Sequence, residues 1–241
     1  MSTRASQGAD GAPAADGAPA AAGPAAGATR GAPAPGARPL VAFLGDSLTA
    51  GLGLAAGEAY PALVERRMAE LGTPIKALNA GVSGDTTAGG LRRLAWLMAQ
   101  HPAVIVVGLG GNDGLRAQPL AEIESNLREI IRRARRGGAQ VLLLGMRIPP
   151  NYGPDYVGGF AGIYPRVARD LQVVLVPFLL AGVGGIADLN QPDGIHPTAE
   201  GQQRVAANVI PYLRTLLKEP AAHLPAARRA GAQRSAARAS R

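Results

Sequence analysis

The sequence predicts an α/β protein, a three-layer α/β/α sandwich built around a five-stranded parallel sheet. Two observations support this prediction. Five short runs are apolar on both faces, which is typical of strands covered by helices on both sides of a parallel sheet. Longer amphipathic stretches separate the runs, and right-handed crossovers through such helices produce a doubly wound sheet. The predicted strands are residues 39–45, 74–80, 103–110, 140–146 and 173–178.

The stretches between and after these strands are predicted to be helices. The third is the clearest, because Ile123, Leu127 and Ile130 recur at helical spacing and Gly137-Gly138 follows as a stop. Four helices connect consecutive strands, and a fifth follows the last strand. The predicted helices are residues 58–71, 86–100, 119–136, 155–171 and 198–217.

The two ends of the chain differ in composition from this domain at 39–217. Residues 1–38 consist mainly of Ala, Gly and Pro, and the sequence Asp-Gly-Ala-Pro-Ala occurs twice, at 10–14 and 16–20. Such a segment has too little apolar surface to offset the entropy of ordering it, so we predict a disordered arm. Residues 218–241 are rich in Ala and Arg, and we predict a basic, disordered tail.

The formal charge of +8 is concentrated in that tail, where residues 218–241 hold six basic side chains and one acidic side chain. The domain is close to neutral, so we expect no nucleic-acid partner. A solvated tail is favoured over one that binds nucleic acid or an anionic surface. The sequence has no cysteine, which excludes disulfides and thiolate nucleophiles. No run approaches the roughly 20 apolar residues of a membrane span, and no signal peptide is visible, so we expect a cytoplasmic monomer.

Four polar or glycine-rich loops are predicted at the carboxyl edge of the sheet. Ligand and catalytic sites of doubly wound sheets form at this edge. Each loop alone is a weak signal, but together they contain the residue types that acyl transfer requires. The loops contain Gly45-Asp46-Ser47 after the first strand, Ser83-Gly84-Asp85 after the second, Gly111-Asn112-Asp113 after the third, and Asp193 with His196 before the last helix.

Ser47 has two possible roles. A serine at a strand-to-helix junction is most often an N-cap. The G-x-S-x-G signature of a nucleophile elbow is absent, because residues 45–49 are GDSLT. A nucleophilic role for Ser47 therefore depends on whether a base and an orienting group lie elsewhere in the chain.

His196 is the candidate base. His101 lies at the amino end of the third predicted strand, and His223 lies in the tail. Asp193 is three residues before His196, close enough to accept from its Nδ1 and leave Nε2 free to take a proton. The alternative for this segment is a turn that starts the last helix, with Thr198 as its cap.

An oxyanion needs hydrogen-bond donors where negative charge develops. The candidates are the N–H groups of Gly84 and Ser47 and the side-chain amide of Asn112. The alternative for residues 112–114 is a simple turn. Residues 108–114 (GLGGNDG) do not match the dinucleotide fingerprint. No metal-ligand cluster is apparent, so we expect neither a cofactor nor a metal.

These four blocks, in this order, resemble the SGNH (GDSL) hydrolase superfamily over residues 39–217. Within it they are similar to the bacterial thioesterase I, arylesterase and lysophospholipase L1 branch. The resemblance implies a flavodoxin-like fold, with Ser47 as nucleophile, His196 as base and Asp193 as its orienting group. It also implies an oxyanion hole from Ser47, Gly84 and Asn112, with Asp46 in support. Relatives in this branch are commonly exported, which makes a periplasmic location the alternative.

We therefore expect a serine hydrolase that forms an acyl-enzyme on small esters or thioesters with short- to medium-chain acyl groups. Leu115, Ile148, Pro149 and Tyr152 are candidates for lining an acyl groove. Alternatively, Tyr152 and the prolines stiffen their loop. Other possible functions are a carbohydrate O-acetyl esterase of the same superfamily, a flavodoxin-like cofactor-binding module, and an inactive scaffold that binds partners through its tail.

Overall fold

The computed structural model describes residues 38–218. The predicted arm at 1–38 lies outside the described residues except for its last position. The predicted tail lies outside them except for Lys218, which ends the final helix.

Five parallel strands form one sheet in the order β2-β1-β3-β4-β5, which confirms the predicted fold class. The central strands β1, β3 and β4 are buried along almost their whole length. The prediction that every strand is buried on both faces was wrong for the edge strand β2, because its Lys76 and Asn79 are exposed. The strands are β1 (Leu40–Gly45), β2 (Lys76–Gly81), β3 (Val104–Gly108), β4 (Gln140–Leu144) and β5 (Val174–Val176).

Helices cover both faces of the sheet. The five long helices begin and end within two residues of their predicted bounds, whereas the short helices α1 and α4 occupy segments predicted only as loops or junctions. The helices are α1 (Ser47–Ala50), α2 (Tyr60–Glu70), α3 (Thr87–Met98), α4 (Gly111–Leu115), α5 (Leu120–Arg136), α6 (Pro154–Leu171) and α7 (Ala199–Lys218). Helices α2 and α7 pack together in one layer, and α5 packs against both α3 and α6 in the other. Among residues 38–218, no helix has the length and apolar character to cross a membrane.

A row of glycines supports α1 at the carboxyl edge of the sheet. Gly45 lies in register with Gly81 on one side and with Gly108 on the other. A side chain at Gly45 would overlap Thr49, and a side chain at Gly81 would overlap the backbone of Ala50. Gly45 and Gly81 therefore let α1 rest directly on the strand ends, and this contact sets the position of Ser47. A side chain at Gly108 would make only ordinary contact with Thr49.

Candidate active site

Ser47 is the first residue of α1, and Asp46 is the N-cap. The Asp46 carboxylate accepts a hydrogen bond from the N–H of Leu48 at 3.0 Å. The interpretation of Ser47 as the cap was therefore wrong by one residue, because the strand ends at Gly45 and Asp46 occupies the junction. The hydroxyl of Ser47 is thus free of a capping role. Its N–H lies in the first helical turn, where no intrahelical acceptor exists.

Ser47, His196 and Asp193 form a continuous chain of hydrogen bonds. Oγ of Ser47 lies 2.8 Å from Nε2 of His196, and Nδ1 of His196 lies 2.6 Å from Oδ2 of Asp193. A neutral imidazole that donates from Nδ1 to the carboxylate leaves Nε2 as an acceptor for the serine hydroxyl. This arrangement can move a proton from Ser47 to His196 without rotation of either side chain.

The Asp193 carboxylate is held by the backbone of its own turn. The N–H groups of Ile195 and His196 both donate to Oδ1, each at 2.9 Å. The backbone hydrogen bond from His196, followed by those from its ring and from Ile195, lowers the pKa of Asp193 to about 2. Asp193 is therefore an anion throughout the pH range in which the imidazole can act as a base.

Gln191 fixes the turn that carries His196. Its N–H donates to the carbonyl of His196 at 2.7 Å. Its side-chain amide donates to the carbonyls of Pro197 at 3.0 Å and of Leu52 at 2.8 Å. Thr198 also caps α7, since the N–H of Gly201 donates to its hydroxyl at 3.2 Å. The helix-start interpretation of this segment is thus compatible with its place beside Ser47.

Asn112 lies in α4 beside the same cleft. Its side-chain amide donates to the carbonyl of Asp85 at 2.9 Å and lies 3.4 Å from Oδ2 of Asp46. The second contact is long for a hydrogen bond, so that N–H can turn toward a better acceptor in the cleft. Burial raises the pKa of Asp46 to about 6, although the N–H of Leu48 opposes the shift.

Gly84 occupies the turn after β2 with φ of +79°, a left-handed conformation that favours glycine. Its carbonyl accepts from Arg116 at 3.1 Å. Its N–H has no hydrogen-bond acceptor within residues 38–218. Gly84 is not among the residues that line the cleft described below, so its N–H could act only at the edge of that cleft.

Arg93 holds the Gly84 turn in place, a role that the sequence analysis missed. Its guanidinium donates to Oδ2 of Asp85 at 2.7 Å, to the carbonyl of Ala80 at 2.5 Å and to the carbonyl of Gly45 at 2.8 Å. One side chain therefore links the ends of β1 and β2 to the turn. The sequence offered one signal for this role, a basic residue in the helix that follows Ser-Gly-Asp. That pattern is too common to identify Arg93.

The cleft beside Ser47 has a volume of about 580 Å³ and a mostly apolar lining. Of the predicted groove residues, Leu115, Ile148 and Pro149 line it. Tyr152 is not among the lining residues. Its hydroxyl donates to the carbonyl of Leu115 at 2.8 Å, a contact that fits the alternative in which Tyr152 stiffens its loop. The lining also includes the following residues: Asp46, Ser47, Leu48, Gly111, Asn112, Met146, Arg147, Pro150, Phe178, Leu180, Gly184, Gly185, Asn190, Gly194, Ile195 and His196. In the part of the chain that the structure describes, no three His, Cys, Asp or Glu side chains are grouped to hold a metal ion.

Comparison with known proteins relates this site to one family. The sequence profile described as "GDSL-like Lipase/Acylhydrolase family" matches residues 43–204, more than half of the chain. The chain is 47% identical over 175 residues to "Esterase TesA" of Pseudomonas aeruginosa, a match covering 72% of this chain and 87% of that protein. It is 39% identical over 175 residues to "Thioesterase 1/protease 1/lysophospholipase L1" of Escherichia coli K12, covering 72% and 83% respectively.

A comparison of folds relates the chain to the same family. A solved structure described as "Crystal Structure of TesA" superposes with a TM-score of 0.71 and 46% identity, covering 73% of this chain and 99% of that one. The profile, the two relatives and this superposition agree with the resemblance noted in the four sequence blocks. The chain belongs to the GDSL-like lipase/acylhydrolase family.

Proposed function

We propose that this protein is a serine hydrolase that cleaves acyl esters and thioesters through an acyl-serine intermediate. The observation that carries the proposal is the unbroken hydrogen-bond chain from Ser47 through His196 to Asp193. Nucleophilic catalysis requires a hydroxyl, a base within hydrogen-bond reach and a group that orients the base. All three lie at the carboxyl edge of the sheet.

The reaction has two halves. Oγ of Ser47 attacks the acyl carbon while Nε2 of His196 takes the hydroxyl proton. The bond to the leaving oxygen or sulfur then breaks, and His196 gives the proton to the leaving group. In the second half, water attacks the acyl carbon and its proton passes to His196. The acid departs as Ser47 recovers its proton.

The negative charge on the tetrahedral intermediate needs donors that are already in place. The proposed donors are the N–H of Ser47, the N–H of Gly84 and the side-chain amide of Asn112. Asp46 supports them indirectly, because it caps α1 and lies 3.4 Å from the Asn112 amide. The Asn112 amide would exchange that long contact for the substrate oxyanion.

The cleft suits a short to medium acyl chain. Its volume of about 580 Å³ lies within the range of small-molecule pockets, and Leu115, Ile148 and Pro149 offer apolar contacts. The relatives named as an esterase and as a thioesterase and lysophospholipase favour ester and thioester substrates over the carbohydrate-ester alternative.

Hydrolysis of p-nitrophenyl esters across acyl chain lengths, with S47A beside the wild type, tests this function. The wild type should release a burst of p-nitrophenol followed by steady turnover, and S47A should show neither. S47A should also resist labelling by a fluorophosphonate probe. Burst kinetics or probe labelling that persist in S47A would refute the assignment of Ser47.

A further inference from the structure

Large hydrophobic side chains are exposed mainly around the mouth of the cleft. Among residues 38–218, five such side chains are between 44% and 57% exposed, and four of them lie on loops at the carboxyl edge of the sheet. These four form what we call the cleft rim: Leu52, Val82, Ile186 and Ile195. The fifth, Trp96, lies near the end of α3, which runs away from this edge. Apolar exposure concentrated in one region indicates an interaction site.

The cleft rim is continuous with the apolar cleft. Ile195 itself lines the cleft, and Ile186 directly follows the lining residues Gly184 and Gly185. The carbonyl of Leu52 accepts from the side chain of Gln191, which belongs to the same turn as Ile195.

Val82 directly follows the carboxyl end of β2. Its N–H donates to the carbonyl of Gly45 at 3.0 Å, directly before Asp46 and Ser47. Val82 is thus placed beside the segment that carries Ser47.

Two arginine side chains lie near the cleft rim. Arg116 and Arg147 are both exposed, and neither forms an ion pair with a carboxylate of residues 38–218. The Arg147 guanidinium lies over the ring of Phe178, 5.0 Å from its centre, and both residues line the cleft. Exposed guanidinium groups beside exposed apolar side chains complement a phospholipid surface, where phosphates overlie acyl chains.

We propose that the cleft rim docks the enzyme on a phospholipid surface, so that an acyl chain passes from the aggregate into the cleft without crossing water. The proposal rests on the proposed function in one respect, namely that the chain delivered is an ester substrate of Ser47. Docking itself requires only the rim and the two arginines.

Vesicle co-sedimentation tests the docking step without turnover. The full chain carrying S47A is mixed with phosphatidylcholine vesicles, which carry no net charge and so offer the basic residues 219–241 no anionic surface to bind. We expect binding that weakens roughly tenfold in S47A/L52S/I186S, because two half-exposed side chains lose their apolar contact. The control S47A/W96S removes a larger and more exposed hydrophobic side chain elsewhere and should bind as S47A does.

A kinetic comparison tests the consequence. L52S/I186S should hydrolyse soluble p-nitrophenyl butyrate within about twofold of the wild type. It should hydrolyse micellar lysophosphatidylcholine roughly tenfold more slowly. W96S should match the wild type on both substrates.

Three results would overturn the proposal: equal vesicle binding by S47A and S47A/L52S/I186S, an equal loss in S47A/W96S, or a dimer that L52S/I186S dissociates and that does not bind vesicles. Failure of the proposed function is distinguishable, because it would abolish butyrate hydrolysis in the wild type while leaving vesicle binding intact.

Discussion

Asp113 accepts two hydrogen bonds from Thr87, at 2.9 Å from its N–H and at 2.6 Å from its hydroxyl. Thr87 begins α3, so the buried Asp113 carboxylate satisfies a free N–H of the first helical turn. This pair ties α4 to the turn that contains Gly84. Asn112, the residue before Asp113, is thereby positioned by contacts that do not involve its own side chain.

Asn112→Ala should leave a folded protein with severely reduced turnover. Loss of one oxyanion donor raises the barrier by roughly 2.7–4 kcal/mol, so kcat should fall about 100- to 1000-fold. The thermal midpoint should change little, because the Asp113–Thr87 contacts remain. Asn151→Ala removes an exposed asparagine outside the cleft lining and should have wild-type kinetics. Near-normal turnover in N112A would remove Asn112 from the oxyanion hole.

Asp193→Asn should lower kcat without unfolding the protein. An amide at this position no longer fixes the imidazole with its proton on Nδ1, and in a serine-protease triad the same change costs on the order of 10⁴-fold. Steady-state kinetics with p-nitrophenyl butyrate would measure the loss. Asp188→Asn, an exposed neighbour in the same segment, is the control. If both variants lost activity equally, the loss would come from removing a negative charge in this segment and not from the contact between Asp193 and His196.

Asp46 should make the folded state less stable as pH rises through about 6. Its pKa is raised from 3.8 to about 6 by burial, so the folded state holds a proton that the unfolded chain releases. Its contribution to the free energy of unfolding is present below pH 3.8 and lost as pH rises to about 6. Asp193 does not mask this loss, because its pKa is lowered to about 2 and its contribution changes only below pH 3.8.

Urea unfolding of the wild type and D46N at pH 4 and pH 7.5 measures this effect. The wild type should lose about 1–3 kcal/mol more than D46N between the two pH values. An equal change in both proteins would show that Asp46 titrates normally.

Arg93→Met should reduce both stability and kcat. It leaves the Asp85 carboxylate, only 11% exposed, without its ion-pair partner, and it frees the strand-end carbonyls of Ala80 and Gly45. We expect a loss of about 1–3 kcal/mol in the free energy of unfolding. With the Gly84 turn loosened, kcat should fall at least tenfold while KM changes less.

Arg92→Met is the matched control, since this adjacent arginine is exposed. Chemical denaturation and steady-state kinetics of both variants would separate the contribution of the ion pair from that of arginine removal in general. Wild-type kcat in R93M would show that the Gly84 turn does not depend on this anchor.

Sequence reasoning located Ser47, His196 and Asp193 because parallel strands place their carboxyl ends at one edge, whatever lies between them. The sequence separation of 149 residues between Ser47 and His196 therefore did not obscure the site. The same rule made Asn112 and Gly84 candidates for the oxyanion hole, a role that stays a proposal. These positions depend on topology, which the alternation of strands and helices reveals.

The supporting contacts could not be predicted in this way. Gln191 acts through backbone carbonyls that any residue supplies, and so does Arg93 at Ala80 and Gly45, so these contacts cannot be recognised in the sequence. The direction of the Tyr152 side chain could not be predicted for a related reason, because it depends on packing against neighbouring residues. The arm, the tail, the compartment and the monomeric state stay predictions.

The glycine row under α1 divides the protein into a part that tolerates redesign and a part that does not. Gly45 and Gly81 contribute no side chains, yet the height of Ser47 above the sheet depends on that absence. The cleft-lining positions Leu115, Pro149 and Pro150 lie outside the contacts described for Ser47, His196 and Asn112, so they can be varied to accept new acyl groups without moving Ser47. A library that included these two glycines would mostly displace Ser47, so an effort to broaden specificity should exclude them.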